Sequence, residues 1–153
     1  MNALLTCYNE VHALAWRSGP EAVELLLRAG ADVTIRNDAG QTPLIKHASQ
    51  FNSYGIQLEG TNPRIAVLKL LLDADSDINA TDFRGRTALH SLAANRFLDR
   101  FDDKLSGARL LLARGINALA RDNEGMTAAD LLQEKDGSLT RLLAMPQMDL
   151  ADA

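Results

Sequence analysis

The sequence predicts an all-α fold, a short solenoid of helical hairpins, and three observations carry that prediction. First, two blocks alternate along the 153 residues. One opens with Gly, a variable residue and Thr ("GQTPLIKHASQ" from Gly40, "GRTALHSLAAN" from Gly85, "GMTAADLLQEK" from Gly125); the other is Leu-rich ("VELLLRAGADV" at 23–33, "LKLLLDADSDI" at 68–78, "ARLLLARGINA" at 108–118). Second, the interval from Leu25, Leu70 and Leu110 to Thr42, Thr87 and Thr127 is 17 residues each time. Third, Leu and Ala are the commonest apolar residues and only 5% of the chain is aromatic, which favours helices over strands.

The other half of the unit varies. Thr42 to Leu70 takes 28 residues, Thr87 to Leu110 takes 23 and Thr127 to Leu143 takes 16, so the basic period is 33, with 12 and 7 extra residues in the second and third units. A period near 33 is the mark of a stacked repeat array.

Each element follows in order. Counting back 16 residues from Leu25 puts "NEVHALA" under "TALHSLA" and His12 under His90, which defines a first unit; Trp16 follows its first helix and covers the open end of the stack. Gly30 stands where a left-handed residue closes the second helix. In the second unit Thr42 caps a helix whose first residue, Pro43, loses nothing by lacking an N–H. The insert from Asn52 to Pro63, "NSYGIQLEGTNP", reads as a loop whose Asn-Pro starts the next helix. Asp75 replaces the closing glycine there and predicts a strained junction, since Asp tolerates left-handed geometry less well.

In the third unit Thr87 caps a helix with Leu89, Leu92 and Ala93 on one face. The insert "FLDRFDD" sets Phe97, Phe101 and Leu105 four apart, which extends that helix before Asp102 or Asp103 caps the next one; Gly115 closes it. The last unit starts a helix at Thr127, carries Asp130 at the His position and ends soon after Leu142 and Leu143; the tail "MPQMDLADA" has no periodicity and is expected to fray.

These residues resemble the ankyrin repeat, whose pattern runs Asp, two variable residues, Gly, variable, Thr-Pro-Leu-His, a small-residue helix, then a Leu-rich helix ending in Gly-Ala-Asp. "RNDAGQTPLIKHA", "ATDFRGRTALHSLAA" and "ELLLRAGADV" carry the match, over residues 20 to 130. The resemblance implies a single ankyrin-repeat domain over 1–144, with units at approximately 1–33, 34–78, 79–118 and 119–144 and a tail at 145–153. It implies that the polar stretch before each Thr folds as a short β-hairpin finger at a right angle to the helices. It also implies a protein-binding surface rather than an enzyme.

Composition narrows the function independently. A formal charge of −4, with no Lys/Arg cluster longer than a pair, argues against nucleic acid. No apolar run approaches membrane-spanning length and the N-terminus lacks the features of a secretory signal, so a cytoplasmic protein, monomeric when unbound, is expected; a leaderless exported protein has the same look. Cys7 reads as a small buried hydrophobe. His12 and His90, at one repeat position, are expected to hydrogen-bond the neighbouring finger; His47 completes no ligand set, so neither metal nor cofactor is expected. No carboxylate pair is held by the repeat and no Ser or Cys has a nucleophile's context, so no catalytic residue is expected.

Partner information then resides in positions that folding leaves free. On the fingers these are Arg36, Asp38, Ala39 and Gln41; Thr81, Phe83, Arg84 and Arg86; and Arg121, Asn123, Glu124 and Met126. Ser49, Gln50, Ala94 and Asn95 continue the surface onto the helices. Four arginines on an acidic chain predict a locally basic concave side that meets an acidic patch. Phe83 is either its apolar anchor or a side chain resting on the adjacent finger. Within binding modules, a scaffold, an inhibitor or immunity protein and a host-directed effector all fit the resemblance; a regulatory or targeting subunit of an enzyme system is the reading from another class.

Overall fold

The computed structural model describes residues 20–49, 63–94, 101–132 and 137–144. Among these are six α-helices: α1 (Pro20–Arg28), α2 (Pro43–Ser49), α3 (Pro63–Asp73), α4 (Ala88–Ala94), α5 (Phe101–Ala113) and α6 (Gly137–Ala144), with a 3₁₀ turn at Ala129–Leu131 between α5 and α6. No strand occurs among the described residues.

The helices form two layers. α2, α4 and the 3₁₀ turn stack in an inner row, while α1, α3, α5 and α6 stack in an outer row behind them. α4 is buried from Ala88 through Ala93, because α2, α5 and the 3₁₀ turn all pack on it. Leu44, Ile45 and Ala48 of α2 meet Leu89 and Leu92 of α4 in one cluster, which Val67, Leu68 and Leu71 of α3 and Ala108, Leu111 and Leu112 of α5 complete from behind. Alanines in the inner row let short helices approach closely, and the leucines of the outer row fill the space between hairpins.

Starts and stops follow local chemistry. Thr42 accepts the Ile45 N–H at its hydroxyl (3.4 Å), and α2 begins at Pro43. α3 begins at Pro63, where the Asn-Pro was expected to start it. α5 begins at Phe101, ahead of the Asp102 and Asp103 expected to cap it. A second correction concerns Thr127: an isolated 3₁₀ turn follows it, not an α-helix, and Asp130 there accepts the Thr127 N–H (2.8 Å) and hydroxyl (2.8 Å). Leu25 is 66% exposed on α1, whereas Leu70 and Leu110, aligned with it, are half-buried. The inserts at 52–62 and 97–100, together with Cys7, His12, Trp16 and the tail, lie outside the described residues.

Outer helices close as the glycines predict. Gly30 (φ 88) and Gly115 (φ 90) are left-handed, and Ala31 and Ile116 donate back to Leu26 (3.1 Å) and Leu111 (3.1 Å), the double closure of a Schellman motif. Asp75 occupies the same left-handed region (φ 61), and beside it the Ser76 hydroxyl donates to Leu71 O (2.6 Å), the carbonyl aligned with Leu26 and Leu111. Asp75→Gly is therefore expected to stabilise the chain by about 0.5 kcal/mol, the relief of a left-handed Cβ less the entropy of a new glycine. A urea midpoint that fails to rise, at unchanged slope, would show that Asp75 is unstrained.

Candidate binding surface on the fingers

Three fingers share one geometry. Asn37, Asp82 and Asp122 each accept two backbone N–H groups on one side-chain oxygen, two and four residues ahead: Ala39 and Gln41 (3.0 and 3.0 Å), Arg84 and Arg86 (2.8 and 3.0 Å), Glu124 and Met126 (2.9 and 2.9 Å). Their own N–H groups donate across the turn to Gln41, Arg86 and Met126 carbonyls (3.0, 3.0 and 2.9 Å), and Gly40, Gly85 and Gly125 (φ 75, 73 and 79) close the loop. This is a three-residue hairpin turn with a left-handed glycine. Its arms carry no ladder beyond the closing pair, so the expected β-hairpin fingers are turns without strands. The role of Asn37, Asp82 and Asp122 is not drawn from the sequence above, although the Asx-x-x-Gly spacing in each of the three fingers is an Asx-turn signal.

Adjacent fingers are tied tip to tip. The Phe83 N–H donates to Ala39 O (3.1 Å) and the Asn123 N–H to Arg84 O (2.9 Å), the same bond one unit apart. The Asn123 amide also donates to Phe83 O (3.0 Å), and the Asn117 N–H donates to Asn79 Oδ1 (2.9 Å) at the finger base. Phe83 lies over the preceding glycine: a Cβ added at Gly40 would fall 2.5 Å from its Cδ1. The side chain nevertheless stays 70% exposed, so it both rests on the adjacent finger and presents a free face.

Three of the four arginines are engaged with the fingers themselves. Arg36 donates from Nη1 to its own Gly40 O (2.7 Å) and, from the same atom, to Thr81 O of the next finger. Arg86 pairs through Nε with Asp122 Oδ2 (3.2 Å), both largely buried at 19% and 1% side-chain exposure. Arg121 donates to its own Gly125 O (2.8 Å). Only Arg86 meets a carboxylate; Arg36 and Arg121 are exposed and meet neutral carbonyls, which orient their guanidiniums without cancelling the charge. Arg84 alone of the four has a side chain without a hydrogen bond or ion pair among the described residues.

The remaining candidates divide. Asp38, Ala39, Thr81, Asn123 and Glu124 are exposed on the fingers. Gln41 is half-buried and accepts from the Asn37 amide (3.0 Å), Met126 is half-buried with its carbonyl bound by His90, Ser49 donates to Lys46 O (2.7 Å), and Ala94 is half-buried at the end of α4. Gln50 and Asn95 lie outside the described residues.

His90, buried at 1% exposure, joins a helix start to the next finger. Its Nδ1 accepts the Thr87 N–H (3.2 Å), which leaves Nε2–H to donate to Met126 O (2.9 Å). Met126 N–H first, then Glu124 N–H and the Arg86 guanidinium, hold the Asp122 carboxyl below the usual carboxylate range against the opposing effect of burial. Asp130 is held low chiefly by the Thr127 N–H and hydroxyl. Asp32 is held low chiefly by the Thr34 hydroxyl, then by the Thr34 N–H.

A repeated finger, tied to its neighbours and backed by two rows of helices, is matched by a family model of ankyrin repeats, in three copies, over residues 11–122. The chain belongs to the ankyrin-repeat family. Among curated ankyrin-containing relatives, it is 32% identical over 124 residues to the human ankyrin repeat and SOCS box protein 6, which covers 80% of the chain and 27% of that protein. It is 33% identical over 124 residues to chicken inversin (80% of the chain, 10% of inversin) and 29% identical over 139 residues to mouse neurogenic locus notch homolog protein 1 (76% and 5%). The chain thus spans about a quarter, or less, of the length of these relatives. Among the described residues no helix is long and apolar enough to cross a membrane, and no cluster of three His, Cys, Asp or Glu side chains is placed to hold a metal. Ankyrin repeats are protein-interaction modules, and the fingers of this chain present the rigid surface that such a role requires.

Proposed function

We propose that this ankyrin chain is a binding module that takes a protein partner on its concave side, across the fingertips and inner helices, with Phe83 and Arg84 as the central anchor. The observation that carries this is the posture of Phe83. Its N–H is bound to Ala39 and one face of its ring lies on Gly40, yet 70% of the residue is open to solvent. An aromatic group held this rigidly forfeits little entropy when it enters a pocket, which is what makes such residues anchors.

Charge refines the partner's chemistry. Arg84 stands between exposed Asp38 on one neighbouring finger and Glu124 on the other, so the tips read negative, positive, negative. The complementary surface carries an acidic group opposite Arg84, with basic groups on either side, and the attraction weakens with salt.

The test places the photo-crosslinking residue p-benzoylphenylalanine at position 83 in the native cell, identifies the captured protein by mass spectrometry, and measures its binding by calorimetry. Phe83→Ala with Arg84→Ala is expected to weaken that binding by about 2 kcal/mol and to lower stability by less than about 1 kcal/mol, the share of an exposed side chain. Normal binding by the double variant overturns the reading, and so does crosslinking that occurs only when the photoreactive residue replaces Leu25 on the outer face.

A further inference from the structure

We propose that the open edge of the third finger is a second binding site, one that receives a backbone segment of a partner protein bearing an aromatic residue followed by a basic one. The first finger shows what such a site accepts. There Ala39 O takes the N–H of Phe83, Gly40 lies under the ring of Phe83, and Arg36 reaches from its own Gly40 O to the carbonyl of Thr81, two residues before the aromatic.

The third finger repeats the same three parts, and among the described residues none of the three meets a following finger. Arg121 and Gly125 stand at the spacing of Arg36 and Gly40, and Arg121 likewise holds its own finger's glycine carbonyl (2.8 Å). Gly125 has the same left-handed backbone (φ 79), but nothing among the described residues lies within 4 Å of where its Cβ would be. Burial tracks occupancy along the row: Gly40 under Phe83 is buried, Gly85 against Asn123 is half-buried, Gly125 is exposed. Glu124 O, the counterpart of Ala39 O and Arg84 O, accepts no hydrogen bond among the described residues. A carbonyl acceptor, a glycine floor and an arginine donor thus stand together on the third finger, the last of the described ones.

The filled site dictates the occupant. It brings a carbonyl to Arg121, an N–H to Glu124 O two residues later, and on that later residue a flat side chain over Gly125. The Glu124 carboxylate beside the floor favours a basic residue next in sequence, as Arg84 follows Phe83. A second copy of this chain fits poorly. Its first finger would bring Asp38 to the floor beside Glu124, setting two carboxylates together. The site shares Glu124 with the row of tips but uses neither Phe83 nor Arg84, so it stands or falls independently of those two anchors.

The probe is a synthetic peptide of the chain's own residues 79–88, NATDFRGRTA, titrated into the full isotope-labelled chain and followed by NMR. Saturable shifts are expected at Arg121, Glu124 and Gly125, with a dissociation constant on the order of 1 mM for so short a segment. The peptide with Phe→Ala, and the chain with Arg121→Ala, should each bind about tenfold more weakly. Gly125→Ala should also lose binding, its melting temperature being read separately because the φ is left-handed. No shift at peptide concentrations well above the millimolar range, shifts confined to the inner helices, or equal binding by the Phe→Ala peptide overturns the proposal. Loss of partner capture at position 83 leaves this site untouched, whereas a silent peptide titration leaves the concave reading standing.

Discussion

Gly40→Ala is expected to destabilise the chain by about 3 kcal/mol, from a left-handed backbone that an L side chain resists and from a collision in a packed contact. The new Cβ meets the Phe83 ring at 2.5 Å, and that ring is pinned by the bond from its own N–H to Ala39 O. Gly125→Ala is the internal control. It has nearly the same φ, 79 against 75, but open space at the Cβ, so it should cost only about 1 kcal/mol. Urea unfolding of both variants at equal slope gives the comparison. Equal losses would mean that the ring of Phe83 moves aside freely and that the fingertip is less rigid than its hydrogen bonds imply.

His90→Leu should cost about 3 kcal/mol, since the Thr87 N–H is left buried without its acceptor and the bond to the next finger disappears. The Met126 carbonyl keeps the Asp122 N–H (2.9 Å), so the orphaned donor at Thr87 carries most of the loss. The effect should also be polar along the stack. Hydrogen exchange is expected to speed up most in α6, which lies beyond the broken link, and least in α1. Loss of protection spread evenly over α1 and α6 would show that His90 supports its own helix and does not couple units. Ile45 sits at the equivalent place on α2 and is equally buried, at 1% exposure, so the position tolerates an apolar side chain where no histidine link was built.

Much of the architecture is legible in local chemistry. The left-handed closures at Gly30, Asp75 and Gly115 are visible because each must follow a Leu-rich helix at one spacing, and the helix starts after Thr42 and Thr87 because each threonine precedes a residue suited to a first turn. The histidine link could be read because its position recurs in the repeat. The fate of the arginines could not. Whether Arg36 faces solvent or the Thr81 carbonyl depends on how one finger lies against the next, 45 residues away in sequence. Arg86 and Asp122 likewise pair across 36 residues, and nothing in either finger alone announces it. The 3₁₀ turn after Thr127 escaped for a related reason: the start signal is present, but what lengthens an inner helix is the packing it finds on both sides.

The way Asn37, Asp82 and Asp122 close their turns bears on how such a protein changes its preferences over generations. Because the loop is held by that residue and the glycine three places on, the two positions between them contribute no side chain to its closure. The first of the two is not wholly free, since Phe83 and Asn123 each lie on the preceding glycine. The second, occupied by Ala39, Arg84 and Glu124, gives the stack only its backbone. Those three side chains are separate dials on one instrument. A lineage can turn any of them by single substitutions, trying small, cationic or anionic chemistry at each, while the scaffold beneath remains foldable at every step.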